Sequence, residues 1–180
     1  MLGGEVRATA KNDPAGMPAM AADIERIAGE ANRSLSDIVW AVDPQRDTTA
    51  DLVERIRNYS ESMLNGTGIT YRIDCRHDGD PRPLSPIMKR DVYLLMREAL
   101  NNALKYAHAD HVDVECILAN NHLLLAVGDD GAGFDIERAS RVGSGLASMQ
   151  VRSQRTGGRL LVDSTIGKGT RVSLKMELPG

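Results

Sequence analysis

Residues 111–130 read HVDVECILA, then Asn120-Asn121, then HLLLAVGDD. Two strand-like runs joined by residues that tolerate a positive φ make a tight hairpin. A second hairpin closes the chain, RLLVDST followed by TRVSLKMEL. In it Val172, Leu174, Met176 and Leu178 face one way, and Arg171, Ser173, Lys175 and Glu177 the other. A third alternating segment, ITYRID, sets Ile69, Tyr71 and Ile73 against Thr70, Arg72 and Asp74. A sheet with one apolar face needs a cover. The sequence supplies one in a long helix from about Ser85 to His108, with Val92, Leu95, Met96, Ala99, Ala103 and Ala107 as its buried stripe. The expected fold class is therefore α+β: two layers, a mixed and mostly antiparallel sheet with its helices on one face.

The N-terminal part divides differently. Residues 1–22 are rich in Gly, Ala, Pro and Met and read as a flexible leader. Over 23–44, Ile24, Ile27, Ala28, Ala31, Leu35, Ile38 and Val42 recur every three or four residues, a stripe narrow enough for a helix-bundle seam. Pro44 ends that helix. The remaining body, 45–180, opens with a helix starting near Thr48 or Thr49 and stopped by Gly66 or Gly68. The net charge of −3, with basic residues scattered, gives no nucleic-acid footprint. No apolar run is long enough to span a bilayer, and the first residues lack the apolar centre of a signal peptide. Cys75 and Cys116 each sit in an expected strand and read as packed, reduced thiols. A cytoplasmic setting, with no membrane contact by this segment, follows.

Four stretches carry chemistry. The long helix includes REALNNALKYAHA, although Asn is a mediocre helix former. Glu98 and Asn102, four apart, share a face, and Lys105 lies three further on the same side. Alone, the strip is also what a solvated face would show, but such faces usually carry Glu, Lys and Arg rather than paired Asn. GDDGAGFD stands at a strand end, where Asp129 is partly buried and needs a donor partner such as the exocyclic amine of a purine. Gly131 and Gly133 permit a turn and a close approach there. GSGLASM places Gly143 and Gly145 ahead of a helix whose first N–H groups suit an anion. GKGT lacks the Gly-Lys-Ser/Thr order of a P-loop and reads alone as a hairpin turn. The segment 135–142 between two Gly turns reads as a linker, and as a mobile lid for having little apolar burial.

Together and in this order, the four stretches resemble the ATP-binding motifs shared by DNA gyrase, heat-shock 90 chaperones, MutL proteins and sensor histidine kinases. The strip resembles that superfamily's N box, and DDGAG, GSGL and GKGT its three Gly boxes. SDIVWAVDP followed by an amphipathic helix further resembles the kinases that pair with NarL-like response regulators. The resemblance covers about residues 50–178.

The resemblance implies a Bergerat-type ATP-binding fold behind a remnant of the dimerisation hairpin's second helix. It implies ATP and Mg²⁺ as ligands, Asn102 as metal ligand, Glu98 as general base, and Lys105 and Tyr106 as phosphate and nucleotide contacts. By the same resemblance Asp129 takes the adenine amine and Gly131 and Gly133 the turn beneath it. Gly143, Gly145 and Leu146 form the phosphate turn, and Thr170 supports the adenine site. Asn101 receives no role. The implied partners are the phosphoacceptor helix of the parent kinase, itself a homodimer, and a NarL-like response regulator.

The sequence departs from that pattern in one respect. Its histidines are His77, His108, His111 and His122, none on the expected bundle helix. The expectation is a fragment with its acceptor helix elsewhere. A serine kinase of the anti-sigma type, or a nucleotide-gated interaction module without transfer chemistry, shares the same boxes.

Overall fold

The computed structural model describes residues 48–142 and 144–178, with Met20, Ile24, 27–29 and Trp40 before them. The chain divides between Val42 and Asp43 into two compact units. In the first, the described residues are helical, and Ile24 and Ile27 are exposed. The rest of the expected leader and bundle helix, apart from Trp40, lies outside the described residues.

The second unit is a five-stranded sheet in the order β1-β2-β3-β5-β4. Its strands are β1 (Thr70–His77), β2 (His111–Ala119), β3 (His122–Asp129), β4 (Arg159–Ser164) and β5 (Thr170–Glu177). β1 runs parallel to β2, and the other pairs are antiparallel. The hairpin between β2 and β3 turns through Asn120 and Asn121, with φ of 50° and 67°, as their residue type allows. In register, Val114, Cys116 and Leu118 oppose Val127, Leu125 and Leu123, which in turn oppose Val172, Leu174 and Met176. All nine are buried. At the end of this apolar face the same rows finish in Asp129 and Thr170, which pair with each other. Two polar residues thus terminate a face that is otherwise core.

Four helices accompany the sheet: α1 (Thr49–Leu64), α2 (Pro86–Tyr106), α3 (Ile136–Val142) and α4 (Ser144–Arg155). Thr48 caps α1, accepting from the Asp51 amide while the Asp51 carboxylate accepts from the Thr48 amide. The apolar side of α1 (Leu52, Val53, Ile56 and Leu64) is buried against β1 and β2. α2 packs on β3 and on α4, and α4 reaches β4. Buried Asp91 of α2 meets Arg155 of α4 at 3.3 Å, tying the two helices.

Three local expectations change. β1 runs to His77, three residues past the alternating stretch. It is an edge strand, so Tyr71 stays 38% exposed. α2 ends at Tyr106, because Ala107 caps it and His108 turns to φ 51°. The expected linker 135–142 is mostly helical. Asp135 supplies the start, accepting from the amides of Arg138 and Ala139 through its side chain and carbonyl.

The turn after β3 is fastened to the end of α2. The Ala132 amide donates to the Ala107 carbonyl at 2.7 Å, satisfying a group the helix leaves without a partner. A Cβ on Gly131 would stand 2.2 Å from that carbonyl oxygen, whereas one on Gly128 would meet nothing nearer than the flexible Arg171 side chain at 3.3 Å. Gly131→Ala is therefore expected to destabilise the fold by roughly 1–3 kcal/mol, while Gly128→Ala stays near neutral. Thermal denaturation followed by circular dichroism checks this; equal melting temperatures for the two variants would show that the approach at 131 relaxes freely.

Candidate functional site

A cavity of about 560 Å³ opens where α2, the ends of β3 and β5, and the start of α4 come together. That size is ordinary for a small-molecule site. Glu98, Asn102 and Tyr106, four residues apart along α2, line it beside Ala99, Ala103 and Ala107. At about 100° per residue these six form one stripe. The alanines keep that wall low, and the polar members project beside them. Tyr106 is 70% exposed, so it belongs to the rim.

From the sheet come Asp129 and Thr170, the polar ends of the core rows. Asp129 Oδ1 accepts from the Gly131 amide at 3.0 Å. Burial pushes the Asp129 carboxyl above the ordinary carboxylate range. The Gly131 and Thr170 amides oppose that shift, and the Asp130 charge adds to it. Gly133, with φ 58°, lines the cavity as well. Gly131 does not; its place is under the Ala107 carbonyl. Asp130 turns the other way and accepts from the amides of Asp110 and His111 at 3.0 and 2.9 Å. Those bonds, His111's foremost, hold its carboxyl below the usual range.

The start of α4 closes the cavity. The helix begins at Ser144, so Gly145 stands within its first turn rather than ahead of it, and Leu146 follows; both line the cavity. A Cβ on Gly145 would come within 2.8 Å of Glu98 Oε1. Gly143 lies outside the described residues. Lys105 is exposed and is not among the lining residues, although it shares the solvent edge of the Glu98 side of α2. The cavity thus brings together eight expected site residues: Glu98, Asn102, Tyr106, Asp129, Gly133, Gly145, Leu146 and Thr170.

The cavity also has an apolar floor and, behind Thr170, a hydroxyl hub, neither of which the sequence patterns mark. Val127, Phe134, Met149 and Val172 line the cavity with apolar surface, as a flat aromatic ligand requires. Phe134 is the chain's single Phe and directly follows the Gly turn, and that position is its signal in the sequence. Ser164 accepts from the Phe134 amide at 2.9 Å, meets Thr170 Oγ1 at 2.9 Å and donates to the Gly169 carbonyl at 3.2 Å. Its only trace in the sequence is its position at the end of β4, opposite Thr170.

A polar carboxylate beneath an apolar slot, with a Gly-bearing helix start and an Asn-Glu stripe at its other end, suits a purine nucleotide. Comparison with known proteins agrees. Residues 88–180 match the family described as histidine kinase-, DNA gyrase B- and HSP90-like ATPase. The oxygen sensor histidine kinase NreB of Staphylococcus carnosus is 39% identical over 158 residues, covering 86% of this chain and 45% of that protein. The nitrate/nitrite sensor protein NarQ of Escherichia coli is 29% identical, covering 90% of this chain and 28% of that protein. This chain therefore spans less than half the length of either relative. In fold it resembles the ATP binding domain of PrrB from Mycobacterium tuberculosis, with a TM-score of 0.55 and 18% identity over 74% of this chain and 99% of that one. The cavity, the match over its residues and the run of named relatives lead to one conclusion: this chain belongs to the family of histidine kinase-, DNA gyrase B- and HSP90-like ATPases.

Proposed function

We propose that this domain binds Mg-ATP in the cavity described above and passes the γ-phosphoryl group to a histidine presented by a dimerisation helix. The observation that carries the reading is the meeting, round one cavity, of Glu98 and Asn102 on α2, Asp129 and Thr170 at the sheet end, and Gly145 on α4. In this reading the Asp129 carboxylate accepts from the adenine amine while Thr170 and the turn at Gly131 and Gly133 support the base. Phe134 and Val127 exclude water from its faces. Gly143, Gly145 and Leu146 receive the phosphates, with Lys105 and Tyr106 at the rim.

The residues present fit a magnesium ion held jointly by protein and nucleotide. Among the described residues no three His, Cys, Asp or Glu side chains converge into a metal cage. A carboxamide oxygen from Asn102 is the kind of single ligand that Mg²⁺ accepts when phosphates and waters supply the rest. Bound there, the ion would neutralise charge on the phosphates. Glu98 would take the proton of the incoming imidazole.

The segment 23–44 is, in the same proposal, the second helix of the dimerisation hairpin, with 45–180 the catalytic domain. The parent kinase would act as a cytoplasmic-facing homodimer and pass its phosphoryl group to a response regulator. The similarity to NarQ and NreB supports a regulator of the NarL-like type.

Three outcomes are expected. Asp129→Asn keeps size but alters the acceptor, so ADP binding by calorimetry should weaken by roughly 1.5–3 kcal/mol; unchanged affinity would reassign Asp129. Asn102→Ala should lose magnesium-dependent ATP binding yet melt no lower than the parent, because Ala suits a helix better than Asn. A variant that melts lower and still binds Mg-ATP normally would make Asn102 structural. Incubated with labelled ATP, the chain should acquire no acid-labile phosphate by itself, because none of its four histidines lies in the bundle-like stretch 23–44. Label should appear on a supplied acceptor helix, and strong self-labelling would move the acceptor into this domain.

A further inference from the structure

We infer that Glu98 sets the metal dependence of nucleotide binding, its carboxylate standing at the start of α4 and repelling a polyphosphate that arrives without a divalent cation. The inference rests on the nucleotide reading above. It begins with α4, whose first amides are free of intrahelical partners and carry the positive end of the helix dipole. The first turn of α4 has no acidic residue of its own. The carboxylate that comes to it belongs to α2. Glu98 Oε1 lies 2.8 Å from where a Cβ on Gly145 would stand, so the missing methyl leaves the room that this oxygen fills.

Glu98, Asn102 and Gly145 line the same cavity, and Asn102 Nδ2 is 3.8 Å from the same Cβ position. The anion-seeking helix end, the proposed metal ligand and a fixed negative charge therefore occupy one corner. No described Lys, Arg or His forms an ion pair with Glu98. Among the described residues its charge has no ion-pair partner where phosphates would come. Two like charges within several ångströms in a half-buried corner repel by enough to change affinity roughly tenfold or more. A divalent cation held by Asn102 and the phosphates would offset that repulsion. Glu98 would thereby make the free nucleotide a poor ligand and the metal complex a good one, a discrimination separate from any part it takes in phosphoryl transfer.

The test is calorimetric titration of the whole chain with ADP, once with a chelator and once with excess Mg²⁺. Glu98→Gln keeps the side chain's size and removes its charge. It should tighten metal-free binding about tenfold and should not tighten binding with Mg²⁺. The preference for the metal complex should fall accordingly. Glu98→Asp keeps the charge but withdraws it by one methylene from Gly145, and should lie between the two. A preference in folded Glu98→Gln equal to that of the parent overturns the inference. If that variant fails to melt cooperatively, Glu98→Asp decides, and an unaltered preference there overturns it equally. A parent chain that binds ADP under neither condition would sink the nucleotide reading itself, and this inference with it. A parent that binds with Mg²⁺, but whose variants leave the metal preference unaltered, sinks the role of Glu98 alone.

Discussion

The site depends on one backbone hydrogen bond, from the Ala132 amide to the Ala107 carbonyl. It joins the last turn of the helix that bears Glu98 and Asn102 to the turn that follows Asp129. It fixes how the two walls meet, beyond what the packing of α2 on β3 and the loop 107–110 provide. A side chain at 131 would occupy the carbonyl's place, which makes glycine there a condition of the architecture. Asp130 reinforces the join from the other side by gripping the amides of Asp110 and His111. Adjacent carboxylates on an extended backbone point to opposite faces. Asp129 therefore enters the cavity while its neighbour fastens the loop behind it.

The two neighbours also respond to acid in opposite senses. Asp130 is held low by its amide donors, so its contribution to folding is present above the ordinary carboxylate value and is lost as pH falls through its lowered one. Asp129 is pushed up by burial, so its ionised form weighs against folding, a cost that enters as pH climbs from the ordinary value through the raised one. The fold accepts this cost at Asp129 as it accepts Asn102 within a helix. Both sit at the cavity, where local stability and the chemistry of recognition pull apart.

Much of this was legible in the sequence because the period of a pattern survives without coordinates. Alternation located β5 and its buried set, and Asn120-Asn121 marked its own turn. Spacing of four along α2 placed Glu98 and Asn102 on one wall. Other features rest on pairings that a linear reading does not contain. The parallel partnership of β1 with β2 brings together segments some forty residues apart. Ser164 becomes a hub only because β4 lies beside β5. The helix at 136–142 escapes a sequence reading for a different reason: it is only seven residues long, and its start depends on the single capping residue Asp135. Lys105 marks the limit of spacing as a guide, since it lies on the same stripe yet is exposed and not among the residues that line the cavity.

The two thiols have a practical consequence. Cys75 and Cys116 face each other across β1 and β2, both buried and both free. Burial raises Cys75 to about 11 and drives Cys116 higher still, so neither offers an appreciable thiolate near neutrality. A maleimide reporter would therefore find little to attack in the folded native chain. Fluorophores or spin labels attached at a single introduced cysteine, on α3 for instance, can be read against the native background with both original thiols left in place.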